Sequence, residues 1–397
     1  MTTVEEASQQ PIQETEQKKD PEQQWGFHYL RGFVILLVVL HHSILTYTTF
    51  VRFNSKNPIA NISPIVDSQR WLGFNFIAGF NDLFFMHLLF FVSGLFVWQS
   101  LQRKGTFAFL RARFIRLGIP FVVGVLTFIP LAFYPAMLLS GRLGGKTVSF
   151  GDFWLGLAQR GFPTPGILWF IWLLLAFNLL AVGLFKIAPN MGKKEDSFVA
   201  RPFAFFVRLF GFAFVAHLAL LIFINQYAWV GAGPFIVQGS RILLYLVFFL
   251  TGVMVGAYGL KRSCFTPQSS LTKYWWVWLG VGVLSYLPLI LLPPKVFEGQ
   301  LSGLALITLV SVATLFGLVG LFLRFTTRRV RFMDSLSQHS YGIYLVHYTY
   351  VTWLQYALLD LSIHPAAKGT LVFVGSVAIS WGTVALLRRI PLVARII

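Results

Sequence analysis

Apolar runs of about twenty residues recur along the chain between short polar segments, and each is long enough to cross a hydrocarbon layer about 30 Å thick. The pattern predicts an all-α polytopic membrane protein with about ten transmembrane helices. They fall near residues 27–49, 79–101, 117–139, 167–187, 209–228, 240–260, 275–293, 301–323, 341–361 and 369–387. Pro and Gly mark the joints, as in PTPG at 163–166 and LPPK at 292–295. No internal repeat or heptad pattern stands out. The longest connections on one side, near 50–78 and 140–166, are too short to fold as separate domains. The expected organisation is one transmembrane domain over 26–390, a Gln- and Glu-rich tail over 1–25 expected to be disordered, and a short cytoplasmic end at 391–397. No charged stretch followed by a short apolar core opens the chain as a secretory leader would.

Charge supplies an orientation. Of the 397 residues 56% are apolar and only 12% charged, too few charges for a soluble protein of this size. The net charge of +18 invites a nucleic-acid reading, but no basic helix with stacking aromatics lies outside the spans, so no nucleic-acid partner is expected. Instead 23 of the 32 Lys and Arg residues fall in alternate connections, those on the side of the N-terminus. That asymmetry predicts a multi-pass protein of the plasma (inner) membrane with both termini cytoplasmic. The single cysteine, Cys264, excludes an intrachain disulfide and reads as a loop residue rather than a nucleophile.

Ionisable side chains inside hydrocarbon are costly and mark function by default. The first run contains RGFVILLVVLHH, residues 31–42. Eleven steps at about 100° each bring Arg31 and His42 to within roughly 20° of one face, about 16 Å apart along the axis. His41 points about 100° away and reads as structural. Two readings fit the pair. Either a long ligand places an anionic head at Arg31 and a chain at His42, or Arg31 anchors the interface and His42 bonds a neighbouring helix. Acids are scarce: six of the fourteen lie in the tail, most others, including Asp67, fall in connections, and only Asp82 approaches the hydrocarbon. Asp82 either orients a histidine or meets water at the outer interface, and His87, five residues on, falls on a different face. In RARFIRLGIP, 111–120, Arg113 and Arg116 are spaced i, i+3 and form with Arg111 a phosphate-ready cluster or an ordinary cytoplasmic anchor. In SYGIYLVHY, 340–348, Tyr341, Tyr344 and Tyr348 form a stripe with His347 beside it, a site wall or an interfacial belt. Ser93-Gly94 suits close helix packing.

Together and in this order, these segments resemble the membrane-bound acyltransferase family 3. RGFVILLVVLHH resembles its first-helix motif of an arginine, ten residues and a histidine, matched by Arg31 and His42. LLFFVSGLFVW resembles its Phe-rich Ser-Gly segment, RARFIRLGIP its arginine motif through Arg113, Arg116 and Pro120, and GILWFIWLLLAF its Leu-Trp-Phe span. SYGIYLVHY resembles its late motif through Tyr341, Tyr344 and His347. The resemblance covers about residues 26 to 390 and the single-domain form of the family, which includes a branch that succinylates periplasmic glucans. It implies O-acyl transfer, acetyl or succinyl, from a coenzyme A thioester to a hydroxyl of an extracytoplasmic carbohydrate or other small acceptor. On that expectation Arg31, Arg113 and Arg116 hold the coenzyme A phosphates, and the pantetheine arm reaches toward His42. His42 then acts as general base or carries the acyl group itself. Tyr344 or His347 stabilises the oxyanion, and Asp82, which matches no family motif, fixes the imidazole tautomer. The expected partners are acyl-coenzyme A, the acceptor and membrane lipid, with no metal or prosthetic group, since no histidine–acid pair has ligand spacing on one helix. The alternative from another class is a transporter or flippase for a glycan or lipid-linked sugar. The lack of inverted repeats and of buried carboxylates counts against it.

Overall fold

The computed structural model describes residues 21–193, 197–225, 228–297 and 300–397. Residues 1–20 of the expected disordered tail lie outside the described residues, and 21–25 already belong to the first helix. Ten long helical segments follow in order: α1 (Pro21–Leu45), α2 (Leu72–Lys104), α3 (Thr106–Arg142), α4 (Trp169–Ile187), α5 (Pro202–Leu221), α6 (Ile242–Tyr258), α7 (Trp275–Leu291), α8 (Leu301–Phe325), α9 (Arg331–Ala357) and α10 (Pro365–Leu387). Among the described residues, eight helices are long and apolar enough to cross a membrane. Of the remaining two long segments, α7 is shorter, and α9 is rich in Ser, His, Tyr and Gln. The only sheet among the described residues is an antiparallel pair of two-residue strands, Trp229–Val230 with Val237–Gln238. The fold is that of an all-α polytopic membrane protein. The fifth helix begins earlier than its expected place near 209, because Pro202, at the first helical position with its φ already set, starts it.

In apolar surroundings every backbone polar group needs a partner, and α3 shows how that requirement is met. Three prolines, Pro120, Pro130 and Pro135, each lack the N–H that would bond the carbonyl four residues back. Those three carbonyls find partners from other segments. The Tyr341 hydroxyl of α9 donates to Arg116 O at 2.5 Å. The Trp154 indole donates to Leu126 O at 2.8 Å, and the Trp353 indole of α9 donates to Leu131 O at 3.0 Å. Ahead of Pro120 the helix widens into a π-turn over Phe114–Gly118, so the arginine motif sits on a local rearrangement of the backbone.

α2 is also interrupted, at Leu83–Phe84 and again at Phe96. Its segment Phe85–Leu95 packs backbone to backbone on α6. A Cβ on Gly94 would meet Phe249 O at 2.2 Å, and one on Gly252 would meet Phe91 O at 2.1 Å. The Gly of the Ser93-Gly94 pair is therefore needed for close approach. α1 lies inside the bundle, against α2, α8, α9 and α10. Near its N-terminal end the Tyr29 hydroxyl donates to Asp334 at 2.6 Å and Ser337 Oγ donates to His28 O at 2.7 Å. At its other end the connection to α2 is held by Asp67, whose carboxylate accepts from Lys368 Nζ at 2.7 Å. Both side chains are sealed, 0% and 1% exposed, although the sequence placed Asp67 in a loop as an ordinary polar residue. A connection folds over a charge only when a counter-charge meets it there, and α10 supplies one.

Candidate active site

The last turn of α1 leaves carbonyls without helical partners, and α9 provides for them. Gln355 Nε2 donates to His42 O at 2.8 Å and to Ser43 O at 3.3 Å, which fixes where the histidine pair sits. The rings of His42 and His347 are 5.7 Å apart, and Tyr348 stands edge-on to His42 at 4.9 Å. His41 is 5.4 Å from His42 and stacks on Phe85 at 5.2 Å. Structure thus brings His42 and His347, three hundred residues apart in sequence, into one group.

Several polar atoms of this group are buried without a partner among the described residues: His41 Nδ1, His42 Nδ1, His347 Nε2 and Gln355 Oε1. Buried polar atoms are nearly always satisfied, so four orphans in one place call for a ligand or water. His347 Nδ1 lies 2.8 Å from Tyr344 O and 3.2 Å from Ile343 O. Two carbonyl oxygens there require a proton on Nδ1, which leaves Nε2 a bare acceptor.

The other predicted residues divide. Tyr344 is buried and its hydroxyl donates to Ile167 O at the foot of α4, so it ties α9 to α4 and its proton is already committed. Tyr348 is the tyrosine left free: its ring stands against His42 and His347, and among the described residues no hydrogen bond commits its hydroxyl. Asp82 is not joined to His42. Its carboxylate accepts from Arg241 Nη2 at 2.7 Å, and its carbonyl from Arg241 Nη1 at 3.3 Å. His87 shares this neighbourhood, within electrostatic reach of Arg241 and Asp82. The expectation that Asp82 and His87 lie on different faces assumed an unbroken helix, and the break at Leu83–Phe84 resets the phase between them.

At the opposite end of α1, Arg31 is exposed and its guanidinium reaches Ser337 O at 3.4 Å. Arg31 and Arg116 are close enough to repel, as are Arg113 and Arg116. Arg113 lies over the Phe109 ring at 5.0 Å, and its Nε is buried without a partner. Among the described residues none of the three pairs with a carboxylate. Cations gathered without an acid form a site for an anion with several charges, and guanidinium suits phosphate. Cys264 takes no part: it is buried, and burial pushes its thiol up to about 12.

Sequence reasoning missed Gln355, Arg241 and Lys368. Gln355 had a signal, because Tyr341, Tyr348 and Gln355 recur every seventh residue on one face of α9. Arg241 and Lys368 had one as well, as two of the few cations outside the basic connections.

Comparison with known proteins bears on the same segments. A family profile described as an acyltransferase domain, that of acyltransferase family 3, matches residues 24–385. Among curated relatives, glucans biosynthesis protein C of Shigella dysenteriae serotype 1 is 27% identical over 256 residues. Those of Escherichia coli O139:H28 and Salmonella gallinarum are 26% and 27% identical over 256 and 255 residues. Each alignment spans 60% of this chain and 60% of the relative. No solved structure matches the chain.

Proposed function

The chain belongs to acyltransferase family 3, and we propose that it is an integral membrane O-acyltransferase with ten spans, both termini cytoplasmic, in the plasma membrane. It moves an acetyl or succinyl group from a coenzyme A thioester to a hydroxyl of an extracytoplasmic carbohydrate. The observation that carries this reading is the set of unsatisfied buried polar atoms around His42, on the helix that also carries Arg31, where Arg113 and Arg116 of α3 gather beside it. Relatives named for glucan biosynthesis support a glucan acceptor.

Arg31, Arg113 and Arg116 bind the phosphates of the donor. The roughly 16 Å rise from Arg31 to His42 is the scale of a pantetheine arm, which brings the thioester to the imidazole. His42 takes the proton of the acceptor hydroxyl as its oxygen adds to the thioester carbonyl. Breaking the C–S bond releases the thiolate, which receives that proton and leaves as free thiol, and the acceptor leaves as an ester. The Tyr348 hydroxyl, free and beside His42, donates to the oxyanion. Neither Tyr344, whose proton is committed, nor the bare Nε2 of His347 supplies that donor; His347 instead accepts a hydrogen bond from the reacting group.

Purified protein in sugar-free amphiphile, given acetyl- or succinyl-coenzyme A and a glucose oligosaccharide, is expected to release thiol in step with ester formation. Protein that takes up or moves the sugar with no thiol release from any donor is a carrier, and the proposal falls.

A further inference from the structure

A second polar group lies beside the histidine site, and acyl-transfer chemistry at His42 does not use it. Where α2 breaks, Asp82 meets Arg241, the residue just before α6. Their side chains are 43% and 18% exposed, so the pair stands at a rim rather than in a seal. Behind it is His87, 2% exposed, near the Leu83 carbonyl but with no well-formed hydrogen bond at either ring nitrogen among the described residues. His217 of α5, 6% exposed, joins it with Nδ1 unpartnered, and the buried amide nitrogen of Asn81, the residue before Asp82, is unpartnered as well. His87 is within electrostatic reach of His217, Arg241 and Asp82. His41 links the two groups: it lies 5.4 Å from His42 and stacks on Phe85, the first residue after the break.

The unused hydrogen-bonding capacity decides the ligand. Arg241 is neutralised by Asp82 at 2.7 Å, so an anion would have to break that pair. What remains unspent is mixed: a neutral imidazole offers one donor and one acceptor, and the Asn81 amide nitrogen adds donors. A hydroxyl is both donor and acceptor, and a polyhydroxylated ligand satisfies such a set where a carboxylate or phosphate, acceptor only, does not.

We propose that Asp82, Arg241, His87 and His217 form the subsite that holds a carbohydrate acceptor next to His42. This rests on the acyl-transfer reading for its meaning, and it gives Asp82 a place in acceptor binding rather than in tuning an imidazole.

Its test is binding without any acyl donor, so it stands apart from whether thiol is released. The full chain in lipid nanodiscs, free of sugar detergents, is titrated with linear and cyclic glucose oligosaccharides by calorimetry. Wild type is expected to bind, and His87→Phe and Arg241→Gln to weaken binding at least tenfold. Phe is a suitable replacement at 87, since the ring sits between Tyr245 and Phe248 at 5.1 and 5.0 Å. If Arg241→Gln does not fold, as judged by elution and melting, His87→Phe decides. Undiminished binding by folded variants overturns the proposal. So does wild type that binds no oligosaccharide, or that binds phosphate or succinate at this pair instead. Oligosaccharide binding lost in both variants upholds the subsite even where no donor yields thiol, an outcome that overturns only the acyl-transfer reading.

Discussion

Two buried polar groups flank the C-terminal end of α1, and they are built on opposite principles. Asp67 and Lys368 are closed to solvent and almost fully paired. Lys368 Nζ donates to Asp67 at 2.7 Å and to Leu359 O at 3.2 Å, and the other carboxylate oxygen accepts from Gln69 N at 2.8 Å. The group around His42 has four polar atoms with nothing to bond among the described residues. A charge pair completed by the chain has little capacity left for a ligand and serves to hold the connection 46–71 on the bundle. A group left incomplete keeps its hydrogen bonds for something that arrives. Burial alone does not separate the two, because Lys368 is more buried than His42. Satisfaction does.

That contrast breaks first at the sealed pair. Lys368→Met leaves Asp67 charged, buried and unpaired, and should cost about 3–5 kcal/mol of stability. It should appear as a large fall in melting temperature or a loss of monodisperse protein. Lys368→Met with Asp67→Leu should recover most of the loss, since apolar pairs replace buried ion pairs with little change. Next in size is the arginine end. Arg113→Gln should raise the KM for the thioester about 10- to 100-fold with a much smaller change in kcat, the scale of one charge-assisted hydrogen bond at about 1.5–3 kcal/mol. Steady-state kinetics over donor concentration checks it, and an equal fall in kcat would place Arg113 in the chemistry instead. The smallest effect is Tyr341→Phe. It strips the proline-orphaned Arg116 carbonyl of its donor and should cost about 1 kcal/mol, visible as a shift of a few degrees in melting. No change there would mean that water or the π-turn satisfies that carbonyl.

Much of this was legible from residue pattern. The all-α class and the order of the long helical segments follow from apolar length, since hydrocarbon thickness acts on composition alone. The Arg31–His42 spacing was readable because α1 is unbroken over that stretch, so its rotation per residue holds. The relation of Asp82 to His87 was not, because a break inside α2 changes the phase. The break has no Pro to announce it: the interrupting residues are Leu83 and Phe84. The same limit hid which tyrosine is free. Tyr344 and Tyr348 look equivalent in a stripe, and only the carbonyl of Ile167, far away in sequence, takes the proton of one of them. Asp67 looked like a loop acid because its partner lies on α10, 301 residues away.

The most direct test of the account is thiol release by His42→Ala, beside wild type, from acyl-coenzyme A with a glucose oligosaccharide present. Donor affinity and melting temperature are measured on the same preparations. Removing a general base of this kind should lower the rate about 10²- to 10⁴-fold. The account predicts that loss with melting and donor affinity nearly unchanged, because the group around His42 is held for a ligand and not for the fold. Wild-type thiol release from a folded His42→Ala protein would contradict it.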